Sequence, residues 1–296
     1  MGRRFRITWL DGGLIVTLVA MAGWLWYRSS IGIAYDWHWA QAYETITTPD
    51  REGGTPYFFT GVLATLRLSL WSALIATALG LVVGVGRRSK ISSLRLICTF
   101  YIQVIRNIPP LVFIFIFYFF ISNQLIPLLG LEGLLRGNPG RAGGWQQTLF
   151  GPALLWENLL SGVLCVSFIS AAYIAEIVRA GIGAIPTGQW EAAESLGMTT
   201  LDRYRFVIFP QALARIVPPV TGQYISLVKD SSIVSLISIQ ELTFVGTEIA
   251  NSSGLIFEIW IFVAFIYFLL CLTLSVLLRY VELRATRHFS HGRAAI

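Results

Sequence analysis

Ile185-Pro186-Thr187-Gly188-Gln189-Trp190-Glu191-Ala192-Ala193-Glu194-Ser195-Leu196-Gly197, running on to Pro210-Gln211-Ala212, is a polar and charged island between long apolar runs. Its local signals predict two short helices joined by a glycine elbow. Thr187 or Gly188 can open the first helix after Pro186, with Glu191 and Glu194 near its N-terminus, where the helix dipole favours acid. Gly197 supplies the left-handed residue that ends it. Thr199 or Thr200 can cap the second helix, with Asp202 three residues after Thr199 as in a capping box. Pro210 biases Phe209 out of the helical region and closes that helix. On helix signals alone, an ordinary solvated loop fits equally well.

Composition places the island in a membrane protein. The 296 residues are 55% hydrophobic and only 13% charged, with mean hydropathy +0.67, whereas soluble domains carry about 25% charged residues. A net charge of +6 and a pI near 9.4 would suit a nucleic-acid binder, but the charges are placed otherwise. Arg3, Arg4 and Arg6, then Arg87, Arg88, Lys90 and Arg95, then Arg279, Arg284, Arg287 and Arg293 flank apolar runs. That is the positive-inside pattern, with no nucleic-acid partner implied. Cys98, Cys165 and Cys271 lie far apart within apolar runs and suggest buried filler, not a disulfide framework or a metal site.

Taken in order, an apolar run from Gly12 to Tyr27 follows the N-terminal arginines. An export signal competes here, but Trp24-Leu25-Trp26-Tyr27-Arg28 offers no small-residue cleavage site, so the run reads as an uncleaved first span with an aromatic belt. Polar residues 28–57 form an external segment. A second span, Phe58 to Gly86, holds Gly80-x-x-x-Gly84, which permits close helix packing. The third, Leu96 to Ser122, carries Arg106-Asn107-Ile108-Pro109-Pro110, and its prolines should kink the helix. Residues 123–155 form a longer external loop. The fourth span, Glu157 to Ile182, contains Tyr173, with Glu176 and Arg179 three apart on one surface, although Arg179 could equally snorkel at the membrane edge. Next, the apolar run Ile216 to Val228 is broken by Pro218-Pro219 and then interrupted by Lys229-Asp230-Ser231-Ser232. Thirteen residues fall short of the about 20 that a crossing needs. The charged cluster is therefore expected at membrane depth or in a lined cavity, either functional or paired with itself. A last span, Leu255 to Leu278, leads to a basic tail. The expected fold is all-α, a polytopic bundle of about six transmembrane helices with an elbow between two of them.

Glu191-Ala192-Ala193, then Gly197, then Val207-Ile208-Phe209-Pro210 resembles the EAA loop of permease subunits of ATP-binding-cassette importers. Val207 and Phe209 depart conservatively from that loop's Ile and Leu. Gly188-Gln189 before it and Gln211-Ala212 after it are similar to the polar-amino-acid branch of the family. Three further elements resemble it: Arg106 with Pro109, the string from Tyr173 through Glu176 and Arg179, and Lys229-Asp230-Ser231-Ser232. Asp36-Trp37-His38-Trp39 is a weaker echo of acidic-amino-acid permeases.

The resemblance implies a permease domain over residues 58–285, with its EAA loop at 186–212, preceded by an extra helix and external segment in 1–57 and followed by a basic tail in 286–296. It implies that Gly188, Gln189, Glu191, Ala192, Ala193, Gly197 and Pro210 dock a cytoplasmic ATPase. It also implies an ATPase dimer that binds ATP and Mg, a second permease copy or paralogue, and an external amino-acid-binding protein. The place would be the bacterial plasma (inner) membrane, with both termini cytoplasmic.

Catalytic patterns are sparse. Lys90 and Lys229 are the only lysines, so the chain holds no P-loop and is not expected to be an enzyme or to carry a cofactor of its own. His38, His288 and His291 have no metal-ligand spacing. Ser226-Leu227-Val228-Lys229 matches a Ser-x-x-Lys nucleophile pattern but lacks its companion elements. A secondary transporter fits the composition without accounting for the elbow. Arg67, about ten residues into the second span, completes the substrate-path candidates with Arg106, Tyr173, Glu176, Arg179, Lys229, Asp230, Ser231 and Ser232. A guanidinium there needs an acid such as Glu176, escape to the surface, or a substrate carboxylate. The last would favour glutamate, aspartate or glutamine over cationic amino acids.

Overall fold

In lipid, a backbone N–H or C=O without a partner costs several kcal/mol, so an apolar chain can cross only as helix or closed barrel. The computed structural model, which describes residues 9–32, 35–49, 54–128, 130 and 144–290, is helical, with no strand among the described residues. The terminal arginines Arg3, Arg4, Arg6 and Arg293, and loop residues 131–143, lie outside them. Residues 1–41 form one unit and 42–296 another. The first carries α1 (Trp9–Gly32), and α2 (Trp39–Thr47) begins there. The second contains α3 (Tyr57–Gly86), α4 (Ser92–Asn107), α5 (Pro110–Phe120), the short α6 (Gly144–Phe150), α7 (Trp156–Gly183), α8 (Thr187–Ser195), α9 (Phe209–Asp230), α10 (Leu242–Ser253) and α11 (Ile256–Ser290). Four helices among the described residues are long and apolar enough to cross a membrane, or up to six crossings if each bent pair, α4 with α5 and α9 with α10, is one span.

The centre is α7, whose apolar window is 72% buried. It packs along α3 with the two helices parallel, because the register advances together. Ser72 donates to the Val163 carbonyl at 3.3 Å, Gly80 faces Ala171 and Ile174, and Gly84 faces Ala175 and Val178. Parallel neighbours require an odd number of crossings between them, so α4 and α5 together make one. The other partners run antiparallel to α3: Thr77 meets Tyr224 of α9 at 2.6 Å, and Tyr57 meets Glu248 of α10 at 2.5 Å. By the same register α11 follows α10 as an antiparallel hairpin, with Gly246 against Val263 and Thr243 against Tyr267.

Two proline expectations fail in opposite directions. At Ile108-Pro109-Pro110 the helix breaks outright, turning by 117°, because each residue ahead of a proline is driven to extended backbone: Ile108 sits at φ −95°, ψ 135° and Pro109 at φ −55°, ψ 133°. At Pro218-Pro219 the helix does not break. α9 runs on for 22 residues to Asp230, so the short apolar run is part of a full-length helix. A 3-10 stretch, Ser231–Ile237, and left-handed Ser238 then lead to α10.

A Cβ on Gly84 would stand 2.7 Å from the backbone oxygen of Ala175 and 2.8 Å from the Cβ of Val178, both residues buried in α7. Gly84→Val should therefore cost at least about 1–3 kcal/mol, the usual penalty of overpacking, read as a lowered thermal unfolding midpoint of the detergent-solubilised protein. Gly222→Ala in α9, where a Cβ meets nothing within 4 Å, should leave that midpoint unchanged or raise it.

Candidate functional site

The elbow follows directly from its residues. Thr187 is the first residue of α8, and Pro186 rather than a hydroxyl residue stands at its N-cap. Gly197 ends the helix at φ 71°. Its N–H donates to the Glu194 carbonyl at 2.9 Å, and the Met198 N–H to Ala193 at 3.2 Å, closing the carbonyls that a helix C-terminus leaves open. Thr199 caps the next turn: its Oγ1 accepts from the Asp202 N–H at 3.2 Å and donates to the Asp202 carboxylate at 2.5 Å.

That next turn is not a separate short helix. Thr200–Asp202 continues through a π-helical stretch, Arg203–Ile208, straight into α9. Phe209 stays helical at φ −64°, ψ −42°, so Pro210 does not close the helix. It occupies the first turn of α9, and the wider π turn ahead of it relieves the usual clash with the preceding carbonyl. Ala193 is buried, whereas Gly188, Gln189, Glu191, Ala192 and Gly197 are exposed. So are the apolar Leu196, Leu201 and Phe206, at 80%, 74% and 61%. Glu194 pairs with Arg203 at 3.1 Å across the elbow.

A cavity of about 430 Å³ opens just behind the elbow, lined by Arg106, Tyr173, Glu176, Arg215, Pro219 and Gln223 among others. Glu176 accepts from Arg179 at 2.5 Å and from Arg87, one residue past the end of α3. The Arg106 guanidinium lies 5.5 Å from the centre of the Tyr173 ring. Arg215 donates to the Ala184 carbonyl, tying α9 to the end of α7. Pro218 and Pro219 have no N–H for the carbonyls of Ala214 and Arg215, and this freed backbone lies where α9 borders the cavity. The site is thus a guanidinium-rich pocket around one carboxylate.

Other candidates sit elsewhere. Arg67 does not reach Glu176, whose oxygens are taken. Its Nε donates to the Thr148 carbonyl at 2.8 Å, while Trp71 donates to Leu149 at 3.1 Å and stacks on Phe150. Arg67 therefore pins the end of α6 to α3. Lys229 is exposed and Asp230 half-buried, and none of the described ion pairs joins them. Ser231 and Ser232 donate to the carbonyls of Val228 and Lys229, each at 2.7 Å, closing the end of α9. The sequence does not single out Arg215 as a cavity residue or Arg87 as a partner of Glu176. Arg215 carried the signal that singled out Arg67, a cation inside an apolar run. Arg87, by its place in the sequence, marks only a span end.

Residues 76–287 match the family model described as binding-protein-dependent transport system inner membrane component. The chain is similar to the L-cystine transport system permease protein TcyB of Bacillus subtilis (strain 168), at 32% identity over 79% of this chain and 88% of that one. It is also similar to the glutamate/aspartate import permease protein GltK of Escherichia coli O6:H1, at 30% identity over 77% and 93%. Among solved structures it resembles one described as an amino acid ABC transporter with histidines, with TM-score 0.61, 34% identity, and coverage of 77% of this chain and 94% of that one.

Glu176 serves two unequal partners, since the Arg87 side chain is 19% exposed and the Arg179 side chain 38%. The Arg179 pair links residues three apart on one helix, whereas the Arg87 pair ties α3 to α7. Arg179→Ala should therefore cost about 0.3–0.5 kcal/mol, near the limit of detection by thermal unfolding. Glu176→Ala, which leaves two guanidinium groups facing each other, should lower the midpoint clearly more.

Proposed function

We propose, because the chain belongs to the family of binding-protein-dependent transport system inner membrane components, that it is the permease of an ATP-driven importer of polar amino acids in the bacterial inner membrane. The names of its relatives, for cystine and for glutamate/aspartate, support amino acids as the cargo class. The chain is not an enzyme: family members of this kind are the membrane component, and ATP with its Mg belongs to a partner ATPase.

The observation that carries the reading is the elbow. A charged helix, a left-handed glycine and bare apolar side chains at Leu196, Leu201 and Phe206 form a surface with no use inside the bundle. Glu191 supplies an acid for a basic residue of the ATPase, and Gly188, Gln189, Ala192, Gly197 and Pro210 shape the dock around it. The elbow lies at the basic ends of α3 and α11, the cytoplasmic side by the positive-inside rule, which assigns the C-terminus there; the N-terminal Arg3, Arg4 and Arg6 assign the N-terminus to the same side by that rule alone. The working unit is two permeases, identical or paralogous, two ATPases and an external binding protein. ATP-driven closure of the ATPases would tilt the spans between inward- and outward-facing states.

The cavity behind the elbow is assigned to the translocation path, with Arg106, Tyr173, Glu176 and Arg179 as its polar wall. Arg106 and Arg215 line it beside a Glu176 whose charge Arg87 and Arg179 already neutralise, and guanidinium forks suit carboxylates. An acidic or neutral-polar substrate such as glutamate, aspartate or glutamine follows, with cationic ones repelled. Arg67, Ser231 and Ser232 are given supporting roles, since the end of α6 takes the Arg67 Nε–H and the end of α9 takes both hydroxyls, and Lys229 and Asp230 are set with them because they lie outside the cavity lining.

Gly197→Val places a β-branched residue at positive φ, which costs at least about 1–2 kcal/mol. Membrane insertion should survive while the ATPase is lost from the purified complex; a full complement of ATPase with normal transport would show that the elbow is not the dock. In proteoliposomes with the complete complex, uptake should require ATP, and excess glutamine or aspartate should compete for glutamate uptake while excess lysine does not. Strong competition by lysine would remove the substrate assignment and leave the ATP-driven importer standing.

A further inference from the structure

One aromatic side chain of the elbow faces inward, apart from the residues assigned to docking. Trp190 is half-buried between exposed Gln189 and exposed Glu191. The Arg88 guanidinium, just past the end of α3, lies 5.8 Å from the centre of its ring. Tyr204, in the π-helical stretch that leads into α9, meets the same indole edge-on, with centroids 5.3 Å apart and planes at 81°. Arg88 also crosses the last residue of α7, where a Cβ on Gly183 would stand 3.0 Å from Nη1. The indole is therefore held between a cation from α3 and a phenol ring from the lead-in to α9.

This placement matters because of connectivity. Through the backbone, α8 follows α7 and precedes the lead-in to α9, and the Gln211–Gln189 hydrogen bond at 2.9 Å adds to that second link. Helix α3 has no backbone connection to the elbow, so displacement of the elbow reaches it across space. The Arg88–Trp190 contact bridges that gap at the end of α3 where Arg87 also grips Glu176 of α7.

We propose that Trp190 is a positioning residue for coupling, which carries displacement of the elbow into α3 through Arg88 while touching neither nucleotide nor amino acid. The inference rests on the reading of the elbow as the ATPase dock. A cation over an indole face and an edge-on aromatic pair are each modest alone; here the first ties the elbow to the end of α3 and the second holds the indole in place for it.

The test uses the complete complex in proteoliposomes and reads three quantities: ATPase retained on purification, ATP hydrolysed, and amino acid taken up per ATP. Trp190→Ala should retain the ATPase and hydrolyse ATP at the wild-type rate, with uptake per ATP lowered about tenfold, the scale of one lost cation–π and aromatic clamp. Trp190→Phe, which keeps a ring for both neighbours, should recover most of that loss. Arg88→Ala should reproduce it, and the double variant should be no worse than either single, as partners in one contact require. Should Trp190→Ala misassemble, Arg88→Ala carries the same decision. Wild-type uptake per ATP in Arg88→Ala, or a proportionate fall of hydrolysis and uptake together, would overturn the proposal. Failure of the wild-type permease to retain any ATPase would overturn the docking reading itself, a different result from either.

Discussion

The parallel contact of α3 with α7 is the constraint on which the rest depends. Gly80 and Gly84 bring the helices so close that a Cβ on either would strike Ile174 or the Ala175 carbonyl and Val178. Ser72 and Ser167, buried in the same seam, satisfy their hydroxyls on backbone carbonyls, Ser167 at 3.4 Å from the Ser72 carbonyl. Helices in lipid gain nothing from apolar burial alone, so close backbone approach and internal polar satisfaction are what hold them together. The contact also places the charges at its end: just past Gly84, Arg87 reaches back to Glu176 and Arg88 lies against Gly183.

A second polar seam has no counterpart in the sequence reading. Glu241 is fully buried at the N-terminus of α10, where it accepts from the Phe244 N–H at 3.0 Å and from the Tyr267 hydroxyl at 2.6 Å. Thr65 of α3 lies 3.3 Å from it and accepts from the Leu242 N–H at 3.0 Å. Charge-assisted bonds to a helix N-terminus make such a carboxylate tolerable at depth. The arrangement ties α3, α10 and α11 through partners far apart in the chain. No local spacing announces it, whereas the turn of the elbow is legible because Gly197 and the Thr199–Asp202 cap lie within a few residues of one another.

Proline shows where local reading stops. Pro109-Pro110 and Pro218-Pro219 are the same dipeptide in similar apolar surroundings, yet one breaks its helix and the other does not. A proline inside a helix costs about 3 kcal/mol, so the outcome turns on what neighbouring helices return. Near Pro218, Ile216 packs against Gly181 of α7 and Tyr224 bonds Thr77 of α3. These contacts hold α9 as one continuous helix on either side of the pair. After Asn107 the chain instead turns through 117° into α5. Pro210 belongs to the same lesson, since only the π stretch ahead of it makes its place in a helix acceptable.

The unbroken course of α9 joins the two halves of the site. Its lead-in is the second arm of the elbow, and its Pro218-Pro219 segment is a wall of the cavity. The missing N–H groups leave α9 with fewest internal hydrogen bonds at that wall, so bending is easiest there. Arg215 lies on the elbow side of that soft point and is fastened to the end of α7 through the Ala184 carbonyl. Gln223 and Tyr224 lie beyond it, with Tyr224 fastened to α3 through Thr77. The two sides of the soft point are thus anchored to different neighbours. The two anchors and the missing N–H groups together make the cavity wall the most easily bent part of α9.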